Sequence, residues 1–261
     1  MTAAPPEPDD AVVARLRSAG CVFAEDEARL LVAEAGSPAR LESLVRRRVA
    51  GEPLEYLLGW AEFWGLRIAV APGVFVPRRR SELLVEEAAA LAPPRAVVVD
   101  LCCGSGAVAA ALSTVLDHPE VHASDVDPTA VACARRNLPG GFVHTGDLFD
   151  ALPTSLRGRV DILVANVPYV PSSAIALMPP EAREHEPRTA LDGGTDGLDL
   201  ARRVVTGARH WLAQAGSLLF EVGEDQVPAA AGIVAAAGLI ARVAAVEETG
   251  ATVVIGTAAS T

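Results

Sequence analysis

The strongest constraint on the fold is one stretch in the middle of the chain, VVVDLCCGSGAVA at residues 97–109. Its β-branched start is typical of a buried strand, and two glycines then turn the chain into an alanine-rich helix that runs to about Leu116. Glycine lets the backbone approach a ligand closely, and the first turn of a helix leaves N–H groups unpaired. The stretch therefore predicts a corner that binds a nucleoside cofactor, without indicating which one.

Strand and helix patterns alternate from this stretch to the C-terminus and set the fold class. We expect strands at residues 96–101, 121–126, 142–146, 160–165, 216–222, 239–246 and 251–257, and helices at 106–116, 128–137, 198–213 and 225–237. Such alternation implies a mostly parallel α/β sheet with helices on both faces. The last two strands are too close for a helical crossover and should form an antiparallel hairpin at the sheet edge. This Rossmann-like sheet, seven-stranded with one antiparallel edge strand, is the shape of class I methyltransferases.

Two shorter segments precede this fold. Residues 1–59 have apolar positions at helical spacing, and Ser37-Pro38 is typical of an N-cap followed by proline in the first turn, which together predict a small helical domain. Residues 60–73 alternate like two short strands around a glycine, which predicts a β-hairpin linker. The third domain occupies residues 74–261. Because the helical segment has too little core to stand alone, we expect it to pack on the larger domain.

Charge and composition exclude several classes of protein. A net charge of −11 over 261 residues disfavours a chain that holds long nucleic acid, which needs a basic face. The four cysteines lack metal-ligand spacing, so we expect neither a metal site nor disulfides. No signal peptide or bilayer-spanning segment is evident. We expect a cytoplasmic monomer with no membrane or direct nucleic-acid partner, and a solvated helix face for the arginines at 46–48.

Polar residues follow four successive strands of the predicted sheet, at the edge where open α/β sheets bind ligands. They are Asp100 with the turn Gly104–Gly106, then Asp125, Asp147 and Asn166. Asp125 is spaced from Gly106 as an acid that meets ribose hydroxyls, and Asp147 could accept a hydrogen bond from an adenine amino group. The glycine pattern also fits nicotinamide-dependent dehydrogenases. An acid at position 100, however, suits a cationic ligand such as the ammonium group of S-adenosylmethionine better than a pyrophosphate.

The run Asn166-Val167-Pro168-Tyr169 follows an apolar strand beside this corner. The Asn166 side chain and the Val167 carbonyl provide two acceptors for the hydrogens of an –NH2 group, and Pro168 holds Val167 extended. The nitrogen lone pair then faces a methyl donor, with Tyr169 as a flat wall. Because an amide nitrogen is a poor nucleophile, orientation and charge placement must do most of the work. The same run would also fit a turn that simply ends a strand.

With these residues in view, the sequence resembles the HemK-type protein-(glutamine-N5) methyltransferases, the release factor glutamine methyltransferase family. The matching segments span most of the chain: 51–59, 62–66, 75–78 with Ser81-Glu82, 100–106, 166–169, 186–194 with 196–198, and 221–223 with Gln226. The resemblance implies S-adenosylmethionine as cofactor and methylation of a glutamine side-chain amide in a peptide chain release factor. It also implies that the N-terminal helical domain helps to dock this protein substrate.

The resemblance also implies roles for individual residues. Cys102, Cys103, Gly104, Ser105 and Gly106 would line the cofactor, Asp125 would hold its ribose, Asp147 and Leu148 would border the adenine, and Asp100 and Asn166 complete the cofactor site. Asn166, Val167, Pro168 and Tyr169 would be catalytic, with the first two holding the glutamine amide and Tyr169 packing beside it. The sequence departs from the family pattern at Val167, at Cys102-Cys103, at Leu148 and at Arg79-Arg80.

Three other functions remain open on the sequence. The same loop could methylate another protein, a small molecule or a flipped nucleobase amine. A nicotinamide-dependent reductase also remains open, on the glycine pattern alone. A non-catalytic relative that only binds cofactor and partner is disfavoured by the intact Asn166, although fold and motif by themselves do not prove turnover.

Overall fold

The structure is a computed structural model in which residues 9–259 are described, so residues 1–8 of the predicted helical domain and residues 260–261 lie outside the described part. The helices are α1 (Asp10–Ser18), α2 (Ala24–Ala35), α3 (Pro38–Val49), α4 (Leu54–Leu58), α5 (Glu82–Leu91), α6 (Ala107–Val115), α7 (Pro128–Asn137), α8 (Pro180–His185), α9 (Asp199–Ala208) and α10 (Val227–Ala236). The strands are β1 (Trp60–Phe63), β2 (Leu66–Ala69), β3 (Val97–Leu101), β4 (Glu120–Asp125), β5 (Phe142–Thr145), β6 (Val160–Ala165), β7 (Leu212–Glu221), β8 (Ile240–Val246) and β9 (Ala251–Thr257).

Helices α1–α4 pack around an apolar cluster of their own. Its members include Leu16, Leu31, Val45 and Leu57. Local chemistry sets the helix ends. Ser37, the residue before Pro38, caps α3 by accepting a hydrogen bond from the Arg40 N–H through its side chain. Gly36 ends α2 in the left-handed conformation. The N-cap predicted at Ser37-Pro38 is confirmed.

The arginine run at the end of α3 does not share one solvated face, contrary to the sequence-based expectation. The Arg48 side chain is only 10% exposed, with Nε 2.6 Å from Glu27 Oε2 and Nη1 2.8 Å from Glu181 Oε2. Successive positions on a helix point about 100° apart, so Arg48 lies about 200° around the helix from Arg46 and can face the neighbouring helices while Arg46 faces solvent. Arg48 therefore joins α3 to α2 and to α8, which lies far along the chain.

The hairpin β1–β2 links the helices to the rest of the fold. Its strands pair Phe63 with Leu66 across a two-residue turn in which Trp64 and Gly65 both have positive φ, as tight hairpin turns require. The Asn137 side chain on α7 donates to the Ala69 carbonyl at 2.9 Å and accepts from the Ala69 N–H at 2.8 Å. These two bonds fix the hairpin to the sheet-forming part of the chain.

The main sheet has seven strands in the order β5-β4-β3-β6-β7-β9-β8, with β9 running opposite to its two neighbours. All five residues of the central strand β3 are buried, as expected for a parallel strand covered by helices on both faces. The predicted fold class, a mostly parallel sheet that ends in an antiparallel hairpin, is confirmed. Strands β4, β3, β6 and β7 are neighbours, so their carboxyl ends meet at one edge of the sheet.

The junction between α9 and β7 differs from the sequence-based prediction. A helix was expected over 198–213 and a strand from 216, but α9 ends at Ala208 and β7 begins at Leu212. The Val160 N–H donates to the Trp211 carbonyl at 3.0 Å, and Val160 pairs with Leu212 before the register shifts. Helical periodicity could not reveal this boundary because pairing with β6, a distant segment, decides it.

Candidate active site

A cavity of about 430 Å³ opens where the central strands end. The predicted site residues that line it are Asp100, Cys102, Cys103, Gly104, Ser105, Asp125, Asp147, Leu148, Asn166, Val167, Pro168 and Tyr169. Gly106 lies just behind the wall, where it precedes α6 with φ +77° and where a Cβ would come within 3.0 Å of Ala134. The strand exits thus bring the glycine corner and the Asn166–Tyr169 loop to one cavity.

The glycine corner is held in shape by an acid from the next strand. Asp125 Oδ2 accepts a hydrogen bond from the Gly104 N–H at 2.8 Å, and Oδ1 accepts from the Asp127 N–H at 2.9 Å. Burial raises the pKa of the Asp125 carboxyl, while these two backbone donors oppose the shift. Gly104 has φ +54°, and Cys102 adopts a similar left-handed conformation that a non-glycine residue rarely takes. Asp125 thus stabilises the conformation of the glycine corner through hydrogen bonds from the neighbouring strand.

Asp100 is the most deeply buried acid of the cavity, with 1% of its surface exposed. Its Oδ2 accepts a hydrogen bond from the Ala109 N–H in the first turn of α6 at 3.1 Å. Burial raises the pKa of Asp100 to about 8, because the charged form loses its hydration. A cationic ligand in the cavity would favour the charged form of this carboxyl.

The two cysteines of the corner are not nucleophiles in this setting. Burial raises the pKa of both the Cys102 and the Cys103 thiols, and the neighbouring acids, Asp125 for Cys102 and Asp100 for Cys103, raise it further. A thiol attacks only as its thiolate, so these side chains serve as walls of the cavity.

Asp147 and Leu148 lie on the far side of the corner. The Asp147 carboxylate forms an ion pair with Arg203 of α9, with Oδ2 2.7 Å from Nη2, and both side chains are about half exposed. Leu148 is buried and has φ +48°. Arg203 also lines the cavity and was missed by sequence reasoning, because nothing in its spacing links it to Asp147.

The Asn166 side chain belongs to a hydrogen-bonded network with three residues that sequence reasoning did not place in the site. Asn166 Nδ2 donates to Ser81 Oγ at 3.1 Å, and Ser81 Oγ donates to Glu221 Oε2 at 2.6 Å. The Tyr169 hydroxyl donates to Glu221 Oε1 at 2.6 Å, and Arg80 Nε lies 2.8 Å from the same oxygen. The Arg80 guanidinium also lies over the Tyr169 ring, 5.5 Å from its centroid.

The Tyr169 hydroxyl keeps its proton in this network. Burial raises its pKa well above the usual range, and the neighbouring Glu221 carboxylate raises it further. Tyr169 therefore acts as a hydrogen-bond donor to Glu221 and as a wall of the cavity, not as a base. The signal that could have indicated the network is that Ser81 and Glu221 both fall in segments that carry the family resemblance.

The segment around residues 186–198 supports the Asn166–Tyr169 loop from behind. Gly193 and Gly197 approach the backbone so closely that a Cβ would overlap the carbonyls of Pro168 and Tyr169, respectively. Gln226 Nε2 donates to the Tyr169 carbonyl and to the Asp196 carbonyl, both at 2.9 Å. Only glycine permits such contact between backbones, which explains the glycine-rich character of this segment.

Neither a metal centre nor a membrane helix is found in the described part of the chain. Residues 9–259 contain no cluster of three or more histidine, cysteine, aspartate or glutamate residues able to hold a metal ion. Within the same residues, every helix is too short or too polar to cross a membrane.

Comparison with known proteins adds family information to this geometry. Residues 65–178 match the family described as the methyltransferase small domain. The release factor glutamine methyltransferase of Geobacter sulfurreducens is 42% identical over 204 residues, which cover 77% of this chain and 71% of that protein. That of Cereibacter sphaeroides is 37% identical over 255 residues, covering 88% and 89%. The crystal structure of a methyltransferase from Pyrococcus furiosus has a TM-score of 0.58 at 15% identity, covers 75% of this chain and 90% of that one, and shows the fold.

Proposed function

This chain belongs to the family of release factor glutamine methyltransferases, and from that premise we propose that it transfers a methyl group from S-adenosylmethionine to the side-chain amide nitrogen of a glutamine in a peptide chain release factor. The observation that supports this most directly is that the glycine corner and the Asn166–Tyr169 loop line the same cavity. A methyl donor held at the corner and an amide held by the loop would meet there.

The residues of the corner fit S-adenosylmethionine in size and chemistry. The cavity of about 430 Å³ lies within the range typical of small-molecule sites. We assign Asp125 to the ribose hydroxyls, Asp147 and Leu148 to the adenine, and the buried carboxylate of Asp100 to the cationic end of the cofactor. When bound, S-adenosylmethionine supplies a methyl group activated by its attachment to a positively charged sulfur.

The loop holds the acceptor. We assign Asn166 Oδ1 and the Val167 carbonyl to the two hydrogens of the glutamine –NH2 group, with Tyr169 packed beside the amide. These acceptors turn the nitrogen lone pair toward the methyl donor and stabilise the positive charge that develops on the nitrogen. With the donor bound, a new N–C bond would replace its S–C bond to the methyl group, leaving S-adenosylhomocysteine. The amide nitrogen held by Asn166 and Val167 would lose one proton to water or a nearby carbonyl.

The same proposal assigns roles to the parts of the chain outside the site. We propose that residues 1–59 form the domain that helps to dock the release factor, that residues 60–73 are a linker, and that residues 74–261 carry the chemistry. We further propose that the protein acts as a cytoplasmic monomer without direct nucleic-acid contact, which its net charge of −11 favours.

Asn166→Ala tests the proposed function. Wild-type protein incubated with labelled S-adenosylmethionine and a release factor that carries a Gly-Gly-Gln loop should methylate the loop glutamine, as located by mass spectrometry. The variant should lose roughly 100-fold or more in kcat, since one acceptor of the transition state is removed. Its affinity for S-adenosylmethionine, measured by calorimetry, should stay close to that of the wild type. Full turnover in the variant would contradict the role assigned to Asn166.

A further inference from the structure

We propose that Ser81 and Glu221 are positioning residues that determine which end of the Asn166 amide faces the substrate, through a chain of hydrogen bonds with a fixed direction. This inference rests on the proposed function and deepens it, because it explains how an amide that could bind in either of two orientations presents its oxygen.

The direction of the chain originates at Glu221, the last residue of β7. Its side chain is 2% exposed, and a carboxylate can only accept hydrogen bonds. Its Oε1 receives the Tyr169 hydroxyl and the Arg80 Nε, which hold the charge in place. Its Oε2 remains for Ser81 Oγ at 2.6 Å, so the single Ser81 proton must point toward Glu221.

Ser81 passes this direction on to Asn166. The serine is buried and has committed its only proton to Glu221, so its oxygen can only accept from Asn166. The Asn166 amide must then present its NH2 end to Ser81, as observed for Nδ2 at 3.1 Å. Because oxygen and nitrogen occupy opposite ends of a planar amide, Oδ1 is left for the cavity.

The sheet register explains why these groups meet. Strands β6 and β7 run parallel with Ala165 opposite Phe220, so the next residues along, Asn166 and Glu221, lie side by side at the ends of the two strands. Ser81 lies just before α5, a helix that packs against β6 and β7. The same carboxylate therefore fixes both the Asn166 amide and the Tyr169 ring that borders it.

An inverted Asn166 would oppose the reaction. Its NH2 group would then face the –NH2 group of the substrate glutamine, and two donors cannot form a hydrogen bond. The glutamine would lose one of its two acceptors, and the nitrogen lone pair would no longer be held toward the methyl donor.

Glu221→Gln tests the inference, because it should reverse the direction of the chain with almost no change in shape. Arg80 Nε and the Tyr169 hydroxyl both donate to the Oε1 position, so the new amide oxygen should take that place. The new NH2 group then donates a hydrogen bond to Ser81 Oγ, which leaves the Ser81 hydroxyl to donate its own hydrogen bond to Asn166. Asn166 should accept that bond through Oδ1, which turns its NH2 group toward the cavity. We expect kcat on the release factor to fall roughly 100-fold, with unchanged affinity for S-adenosylmethionine.

Removing Ser81 should relieve this defect. In Ser81→Ala the Asn166 amide loses its guide and samples both orientations, for which we expect a loss of about 10-fold in kcat. In the double variant Ser81→Ala/Glu221→Gln, no serine hydroxyl remains to hold the Asn166 amide in the inverted orientation. It should therefore match Ser81→Ala and be about 10-fold more active than Glu221→Gln alone. A role in stability alone would make the double variant no better than the worse single variant.

Glu224→Gln, an exposed exchange three residues from Glu221, is the matched control and should retain wild-type kcat. Should Glu221→Gln fail to fold, a double variant that folds and matches Ser81→Ala still supports the inference. Suppose that the wild type is active. A double variant as impaired as Glu221→Gln, or single variants that keep full kcat, would then overturn the inference and leave the proposed function intact. A wild type that leaves the release factor unmethylated overturns the proposed function, and the inference with it.

Discussion

A buried carboxyl group that faces an apolar cavity is the main electrostatic feature of the site at the scale of single residues. Asp100 is the next-to-last residue of the central strand β3, where it is paired on both sides, with Ala123 and Val164, and is 1% exposed. One backbone hydrogen bond from Ala109 only partly replaces the lost hydration, so the pKa of the carboxyl rises to about 8. The protein without ligand therefore bears a cost at this position that a cationic ligand would offset.

Asp100→Asn should stabilise the ligand-free protein in a pH-dependent way. Between about pH 4 and pH 8 the native carboxyl holds its proton while the unfolded chain has lost it, so the wild type becomes less stable as pH rises. Asparagine does not titrate and keeps the bond from Ala109. The free energy of unfolding of the variant relative to wild type should rise by up to about 1.4 kcal/mol per pH unit in this window and level off above pH 8. Denaturant unfolding measures it, and a difference independent of pH would contradict the argument.

At the scale of elements, the segment between α8 and α9 acts as a support for the Asn166–Tyr169 loop. Val170 forms a bridge with Asp192, and the Gly193 N–H donates to the Val170 carbonyl at 2.8 Å. Gly197 then packs against the Tyr169 carbonyl with φ +77°. The Asn166–Tyr169 loop, to which we assign the substrate amide, is thus fixed by backbone contacts to a second loop, with no regular sheet between them.

Gly197→Ala should displace this support. The added methyl group would overlap the Tyr169 carbonyl and the Gln226 amide, in a conformation that alanine rarely adopts. We expect a loss of about 2 kcal/mol in the free energy of unfolding, together with reduced methyl transfer. Gly232→Ala is the matched control: it lies inside α10 with open space around its Cβ and should stabilise the protein by about 0.5 kcal/mol. Equal effects of the two changes would argue against close packing at Gly197.

At the scale of the whole molecule, one largely buried arginine connects the helical layer to α8, which precedes the segment that supports the Asn166–Tyr169 loop. Arg48 extends from α3 to Glu27 in the same layer and to Glu181 on α8, and its Nη1 also donates to the Glu52 carbonyl at 3.0 Å. The Tyr56 hydroxyl adds a hydrogen bond to the Val74 carbonyl at 2.8 Å. These contacts place the helical layer next to the segment that supports the Asn166–Tyr169 loop.

Arg48→Ala should weaken this connection. Removing the guanidinium leaves the Glu27 carboxylate, whose side chain is 12% exposed, without its partner, and we expect a loss of about 3 kcal/mol in the free energy of unfolding. Arg46→Ala on the exposed side of the same helix should change it by less than about 0.5 kcal/mol. Denaturant unfolding of both variants measures the contrast. A loss no larger for Arg48 than for Arg46 would show that the buried pair contributes little.

Local interactions determined what the sequence could predict. The strand–glycine turn–helix unit at residues 97–109, the cap at Ser37 and the parallel sheet with its final hairpin all depend on neighbours within a few residues, or on the periodicity of apolar positions. Such features are visible in a single sequence because side-chain spacing and backbone chemistry set them directly. The parallel arrangement of the sheet also predicted that the polar residues at the strand exits lie together at one edge.

The tertiary structure alone decided the contacts between distant segments. Ser81 and Glu221 are hydrogen-bonded although 140 residues separate them, and Arg48 reaches Glu181 across 133 residues. The end of α9 likewise depended on pairing between β6 and β7. Each of these contacts stabilises a specific pair of groups without imposing any periodic pattern on the chain, so the sequence carries no local trace of it. The direction in which the Asn166 amide points is determined by such contacts and by nothing in its own neighbourhood.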